Sequence, residues 1–189
     1  MSKTIGTVAD PDAGELVVLL DESGHPAGTA RKATVHGADT PLHLAFSCHV
    51  FSRDGRVLVT RRALGKLTWP GVWTNSFCGH PAPGEAMEDA VLRRAERELG
   101  IALDGLRDVL PDFRYRAVDA SGIVENEICP VFTATATADP APAADEVAEW
   151  AWVEPSRLRD AVAAAPFTWS PWLALQLAAW PEFGASAPR

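Results

Sequence analysis

The chain has 189 residues, 47% of them apolar and 22% charged, with a formal net charge of −8 at pH 7. That length suits one domain with a sizeable core, and no run of about 18 apolar residues marks a membrane span. The acidic balance argues against nucleic acid or an anionic membrane surface as a partner.

The opening MSKTIGTVADPDAGE lacks an apolar core and is not a signal peptide, so residues 1–15 read as a tail on a cytoplasmic protein. Three cysteines, Cys48, Cys78 and Cys129, form no framework spacing and read as free thiols in a reducing compartment. ELVVLLDESGHPAGTARKA reads as strand, turn, strand, bending at Ser23-Gly24. LHLAFSCHVFSRDGRVLVTRRA is a clearer hairpin about Asp54-Gly55. A strand-like run from Val72 to Phe77 leads into TNSFCGHPAPGE, which sets Cys78, Gly79 and His80 together. The periodicity of MEDAVLRRAERELG predicts a helix whose apolar stripe is Met87, Val91, Leu92, Ala95 and Leu99, stopped by Gly100. A hairpin follows about Ala120-Ser121-Gly122, then a Pro/Ala loop at 138–144 and a strand in EVAEWAWVE. Two helices close the chain, with Pro155 and Pro171 near their starts. No repeat or internal boundary appears, which leaves one domain over residues 16–181 and a tail at 182–189.

Strand periodicity puts Glu125 and Glu127 on one face of IVENEIC, with Cys129 behind them. Two like charges there suit either an exposed strand or a half-buried metal or proton-transfer site. Of five histidines, His36, His43 and His80 stand near strand ends. Three imidazoles with two carboxylates would suit a divalent transition metal, but spacing alone leaves their convergence open. His25 reads as a turn residue and His49 as an ordinary strand residue. Only three lysines occur, and Lys32 and Lys66 lie near other cations, where an anionic ligand would be sought.

A longer pattern spans the predicted helix: Gly79, five residues, Glu85, seven residues, Arg93, then RAERELGI. It resembles the Nudix box, which continues after its arginine as Glu, aliphatic, any, Glu, Glu, any, Gly, aliphatic. Gly79, Glu85, Arg93, Glu98, Gly100 and Ile101 match, whereas Arg94 and Arg97 replace two of the glutamates. Those reversals disfavour the several-Mg²⁺ cluster of a Nudix diphosphohydrolase. HGADTPLHLAFS, TRRALGKLTWPGVWTNSFCGHP, LPDFRYRA and SGIVENEICPVF resemble, in order, segments of the type 1 isopentenyl diphosphate isomerases.

The resemblance implies an α+β Nudix fold (α/β/α), with mixed and antiparallel sheets flanked by helices, an extra N-terminal strand region and C-terminal helices. It implies a catalytic pair, Cys78 and Glu127, with Tyr115 as a relay. A single Mn²⁺ or Zn²⁺ would sit among His36, His43, His80, Glu125 and Glu127. Mg²⁺ arriving with the diphosphate would sit at Glu98 and the Cys78 backbone. Lys32, Arg62, Lys66 and Arg94 would face the diphosphate, and Trp172 would wall the hydrocarbon. The implied reaction adds a proton to C4 of a five-carbon alkenyl diphosphate and removes one from C2, through a tertiary carbocation. Cys78, taken to lie near a helix N-terminus, is expected to lean towards thiolate. The first 15 residues and the 138–144 loop are expected to vary freely, and the protein to be a monomer or a dimer. A nucleotide hydrolase and a non-catalytic Nudix module are the alternatives.

Overall fold

Gly24 (φ 83) and Gly55 (φ 87) reverse the chain where the Ser23-Gly24 and Asp54-Gly55 pairs predict it. The first turn joins β1 (Leu16–Leu20) to β2 (Pro26–Arg31). A single-turn helix, α1 (Lys32–Val35), then leads through His36 to β3 (His43–Leu44). The second turn joins β4 (Phe46–Phe51) to β5 (Val57–Arg62). The computed structural model describes residues 14–184.

The run expected as one strand from Val72 to Phe77 is two short ones, β6 (Trp73–Thr74) and β7 (Phe77–Gly79). Side chains cause the break. Asn75 Nδ2 donates to the carbonyls of Cys48 (3.1 Å) and Phe77 (2.8 Å), and Thr60 Oγ1 donates to the carbonyls of Asn75 (3.0 Å) and Ser76 (3.1 Å). Ser76 Oγ takes the Val50 N–H and donates to the Leu58 carbonyl, each at 2.7 Å. Side-chain bonds thus replace the ladder at the bend, as buried backbone groups require. The chain thereby steps from β5, where Thr60 faces Thr74, to β4, where Ser47 faces Cys78.

The Nudix-box helix is α2 (Met87–Leu99), and Gly100 ends it at φ 64 in the left-handed conformation. Its inward face differs from the apolar stripe: Leu92 is 43% exposed, whereas Arg94 and Glu98 are buried beside Val91, Ala95 and Leu99. One strand escaped the sequence pattern, β8 (Leu103–Leu110), because Gly105 at φ 64 and a shifted register destroy its alternation. β9 (Arg114–Val118), β10 (Val124–Ile128), β11 (Val131–Ala136) and β12 (Val147–Val153) complete the strands. Helices α3 (Pro155–Ala164) and α4 (Pro171–Ala179) follow, linked by a 3₁₀ turn at Pro166–Thr168.

One sheet has the order β2-β1-β3-β10-β9 and the other β12-β5-β4-β11-β8, with β6 and β7 attached to β5 and β4. β3–β10 and β4–β11 are the parallel pairs. Phe46, Val50, Leu58 and Phe132 bury against α2, while Phe51, Val57 and Val59 bury against Leu158, Leu173 and Leu177 of the C-terminal helices. Phe183, within the stretch expected as a tail, is buried in that second cluster. Between the sheets, Ala45, Trp69, Tyr115, Cys129 and Trp172 form a third cluster that floors the site. Among the described residues no helix is long and apolar enough to cross a membrane.

Candidate active site

Strand register assembles the first part of the site. Glu127 lies opposite His43 on one side and Tyr115 on the other, so β3, β10 and β9 present the three residues in one row. Glu125 and Glu127 share a face, as period two predicts, and that face is buried: the two are 6% and 5% exposed. The exposed-strand alternative is therefore excluded. His36 enters from the end of α1 and His80 from the end of β7. One ligand atom from each of His36, His43, His80 and Glu127 lies within 4.8 Å of the other three.

The contacts inside this cluster suit a cation. His43 Nδ1 bonds the Pro41 carbonyl (2.9 Å), which makes Nδ1 the donor and turns the Nε2 lone pair inward, 3.4 Å from Glu127 Oε1. His80 Nε2 is 3.2 Å from the same oxygen. His36 Nε2 is 2.9 Å from Glu125 Oε2, yet neither atom has a hydrogen-bond partner in proper alignment. His43 Nε2 and His80 Nδ1 are likewise buried without one. Buried polar atoms left this way are rare in native proteins. His80 Nε2 and Glu127 Oε1 are aligned as a hydrogen bond, but the inward Nε2 atoms of His36 and His43 are not, and three imidazoles converging on a carboxylate in this way fit a divalent metal. Glu125 is outside the convergent four and adjoins it through His36.

Burial pushes His80 down to about 4, and it opposes the ionised form of Glu127, but His43 and His80 hold Glu127 well below the usual carboxylate range. Burial also works against protonation of His43, and the Glu127 carboxylate outweighs it and raises that imidazole.

Cys78 occupies the middle of β7, and α2 begins only at Met87, so the thiol is not at a helix N-terminus. The expected lean towards thiolate fails for that reason: burial pushes the thiol up to about 12, with bonds to Ser47 and Asn75 pulling the other way. Cys78 Sγ lies 3.2 Å from Ser47 Oγ and donates to Asn75 Oδ1 at 3.4 Å. Asn75 Oδ1 also accepts the Trp172 Nε1–H at 2.9 Å. Trp172 is 2% exposed and packs edge-on to Trp69 with ring centroids 5.3 Å apart, and Tyr115 lies 5.8 Å away. Trp69 has φ 42, a strained value for a bulky residue, in the loop that closes over Trp172.

A cavity of about 420 Å³ is lined by Cys78, Tyr115, Trp172, Glu125, Glu127, His36 and His80 together with Lys32, Arg62, Lys66, Arg94 and Glu98. His43 alone of the expected site residues lies behind this wall. Three of the four cations already have carboxylate partners. Lys32 Nζ bonds Glu15 (2.9 Å), Lys66 bonds Glu146, and Arg94 contacts Glu98, Glu146 and Glu15. Arg62 donates to the Thr68 carbonyl and sits 5.6 Å from the Trp172 ring centre.

Two further residues matter that the sequence reading does not single out: Glu15, in the stretch expected to vary freely, and Glu146, which opens the run EVAEWAWVE expected as a strand. Glu15 is held by Lys32 and Arg94, and the Pro/Ala loop by the end of α2. The N–H groups of Ala141 and Ala143 cap the Leu99 and Glu98 carbonyls at the end of α2, and Ala141 O is 2.7 Å from where a Gly100 Cβ would stand. The loop thereby delivers Glu146 to the cation wall. Asn75, Ser47 and Gln176 also escaped notice, since neutral amides and hydroxyls carry no charge pattern.

A model described as NUDIX domain matches residues 41–173. A protein named isopentenyl-diphosphate Delta-isomerase from Agromyces mediolanus is 64% identical over 180 residues, covering 95% of this chain and 87% of that one. Another of that name from Clavibacter michiganensis subsp. michiganensis is 66% identical over 167 residues, covering 88% and 86%. The chain belongs to the isopentenyl-diphosphate Delta-isomerase family of the Nudix superfamily. The fold agrees: DR0079 from Deinococcus radiodurans superposes with a TM-score of 0.68 over 87% of this chain and 98% of that one, at 19% identity.

The Nudix box has two jobs in this member. Arg93 grips both Glu85 oxygens (2.7 and 2.8 Å) and reaches the His80 carbonyl (3.3 Å), so the box holds the loop that ends in His80. Gly79 is required by close approach, since a Cβ there would stand 2.8 Å from Phe46 and 2.9 Å from Arg94. Arg94 and Glu98, one turn apart, form a buried pair at a place where this superfamily's box has two acids.

Proposed function

We propose that the protein interconverts isopentenyl diphosphate and dimethylallyl diphosphate, the activity for which its relatives are named, by proton addition and removal through a tertiary carbocation. The supporting observation is that Cys78 and Glu127 open into one cavity with Lys32, Arg62, Lys66 and Arg94. Lys32, Lys66 and Arg94 take the diphosphate by exchanging their present carboxylate partners for phosphate oxygens, and Arg62 by turning from the Thr68 carbonyl, as charge-assisted bonds permit. The five-carbon chain then lies between the thiol and the carboxylate. A proton adds at C4, and another leaves C2 to the base. Because the reaction is reversible, each member of the pair is acid in one direction and base in the other. Tyr115, opposite Glu127 in the strand register, relays the proton between that carboxylate and the substrate.

Trp172 presents its π face to the cationic intermediate, a contact worth roughly 2 kcal/mol when desolvated. Burial of Trp172, Trp69 and Tyr115 keeps water from capturing the cation. His36, His43, His80, Glu125 and Glu127 would hold Zn²⁺ or Mn²⁺, and Glu98 with the Cys78 backbone would hold Mg²⁺. Bound there, these ions supply positive charge that fixes Glu127 and neutralises the diphosphate. Arg94 in place of an acid favours holding the diphosphate intact over hydrolysing it.

Free thiols and the acidic charge accord with a cytoplasmic enzyme working as a monomer or dimer, without nucleic acid or membrane. Incubation with isopentenyl diphosphate, read by phosphorus and proton NMR, decides the activity. Dimethylallyl diphosphate supports the proposal, released phosphate would point to a hydrolase, and unchanged substrate to a binding module.

A further inference from the structure

A file of buried polar groups runs behind Cys78, away from the cavity, and none of them has a part in the chemistry above. His49 on β4 is fully buried, against the expectation of an ordinary strand residue, and its Nε2 lies 2.9 Å from Gln176 Oε1. Gln176 on α4, also fully buried, donates from Nε2 to Ser47 Oγ at 2.8 Å. Ser47 Oγ lies 3.2 Å from Cys78 Sγ and 3.5 Å from Cys129 Sγ.

Donor and acceptor inventory gives this file a single direction. An amide oxygen only accepts, so His49 donates from Nε2 and keeps Nδ1 as a bare lone pair. That nitrogen has no partner, and a buried lone pair is better tolerated than a buried N–H. A neutral ring is what burial enforces here, for it pushes His49 down to about 4. Ser47, having accepted from Gln176, has one hydrogen left, and the nearer sulfur is that of Cys78. The Cys78 hydrogen in turn has Asn75 Oδ1 as its acceptor. Every arrow from His49 therefore points to the sulfur.

We infer that Ser47, oriented by Gln176 and His49, is a positioning residue that holds the Cys78 sulfur through a hydrogen bond donated from the side opposite the cavity. Asn75 accepts on one side and Ser47 donates on the other, so the sulfur cannot rotate away from the substrate. The consequence for rate rests on the isomerase reading, whereas the hydrogen bond itself does not.

Two measurements on Ser47→Ala test it. In the infrared, the Cys78 S–H stretch, assigned by its disappearance in Cys78→Ser, should shift once the Ser47 donor is gone. With isopentenyl diphosphate, kcat should fall roughly 10–100-fold, the scale seen when a group that orients a working residue is removed. KM, metal content and unfolding temperature should stay near the parent's. Gln176→Glu should act the same way without changing shape, because a carboxylate accepts the Ser47 hydrogen and draws it off the sulfur. An unshifted S–H band in folded Ser47→Ala overturns the inference, as does a rate loss that merely follows lost metal or lost stability. If the parent makes no dimethylallyl diphosphate, the isomerase reading falls by itself, and the S–H band still decides the role of Ser47.

Discussion

Trp172 Nε1 donates to Asn75 Oδ1 at 2.9 Å, and Asn75 Oδ1 is also the acceptor of the Cys78 thiol, so helix α4 and the bend carrying the thiol share one atom. Ser170 reinforces the joint, its N–H bonding the Trp73 carbonyl (2.8 Å) and its hydroxyl meeting Thr74 Oγ1 at 2.7 Å. Trp172→Phe removes one donor and should cost about 1 kcal/mol of stability. It keeps a π face, so its kcat should exceed that of Trp172→Leu, which forfeits about 2 kcal/mol, or roughly 30-fold. Equal rates for the two variants would remove the ring's electrostatic part.

Cys78→Ser should lower the rate by about 10²–10⁴-fold, the usual span of general acid–base catalysis, because a hydroxyl hardly ionises. Folding and metal content should persist, since the thiol is outside the convergent His/Glu set. Cys48→Ser and Cys129→Ser should lose stability at most. A substrate-shaped epoxide should label Cys78 or Glu127, as peptide mapping can read. Parent-level activity in Cys78→Ser would remove the thiol from the chemistry.

Prolonged chelation should abolish isomerisation and lower the unfolding temperature together, because binding free energy is linked to folding. Readdition of Mn²⁺ or Zn²⁺ with Mg²⁺ should restore both. His25→Gln and His49→Gln should retain the metal by elemental analysis, while His36→Gln and His43→Gln should lose it. Full activity after long chelation would dismiss the site.

Lys66→Ala should raise KM for isopentenyl diphosphate by about 10–100-fold, the equivalent of losing one charge-assisted contact of roughly 1.5–3 kcal/mol. Glu146 keeps Arg94 as a partner, so thermal stability should change little. Unchanged KM with a collapsed unfolding temperature would make Lys66 structural.

His49 sets a pH dependence of stability. Its pKa falls from 6.5 to about 4 on folding, chiefly through burial, with the Gln176 bond opposing. Between those values the unfolded chain binds the proton and the folded one does not, so stability is full above 6.5 and declines as pH falls towards 4. By pH 5 the loss should reach about 2 kcal/mol. Urea unfolding at pH 7 and pH 5, both with chelator, should show a loss in the parent that exceeds the loss in His49→Gln by about 2 kcal/mol, since buried His80 contributes to both. Identical losses in the two would assign the acid sensitivity elsewhere.

Local signals in the chain determined a good deal unaided. Turn glycines and alternation set the hairpins, the Nudix spacing set α2, and the pattern around IVENEIC set Glu125 and Glu127 on one face, because each depends on a period of a few residues. Ordered resemblance supplied the roles that such periods cannot. Tertiary structure decided what lies far apart in sequence. Only the packing of β3, β10 and β7 brings His43, Glu127 and His80 together, and only that packing moves Cys78 away from a helix terminus and into burial that raises its pKa. Arg94 and Glu98 look like surface charges on a helical wheel, yet they are buried, with Glu146 and Glu15 reaching Arg94 from positions far away in the chain. Asn75, Ser47 and Gln176 were illegible for the same reason: a neutral hydrogen-bonding side chain takes its meaning from its partners, and here those partners are up to 129 positions away in the chain.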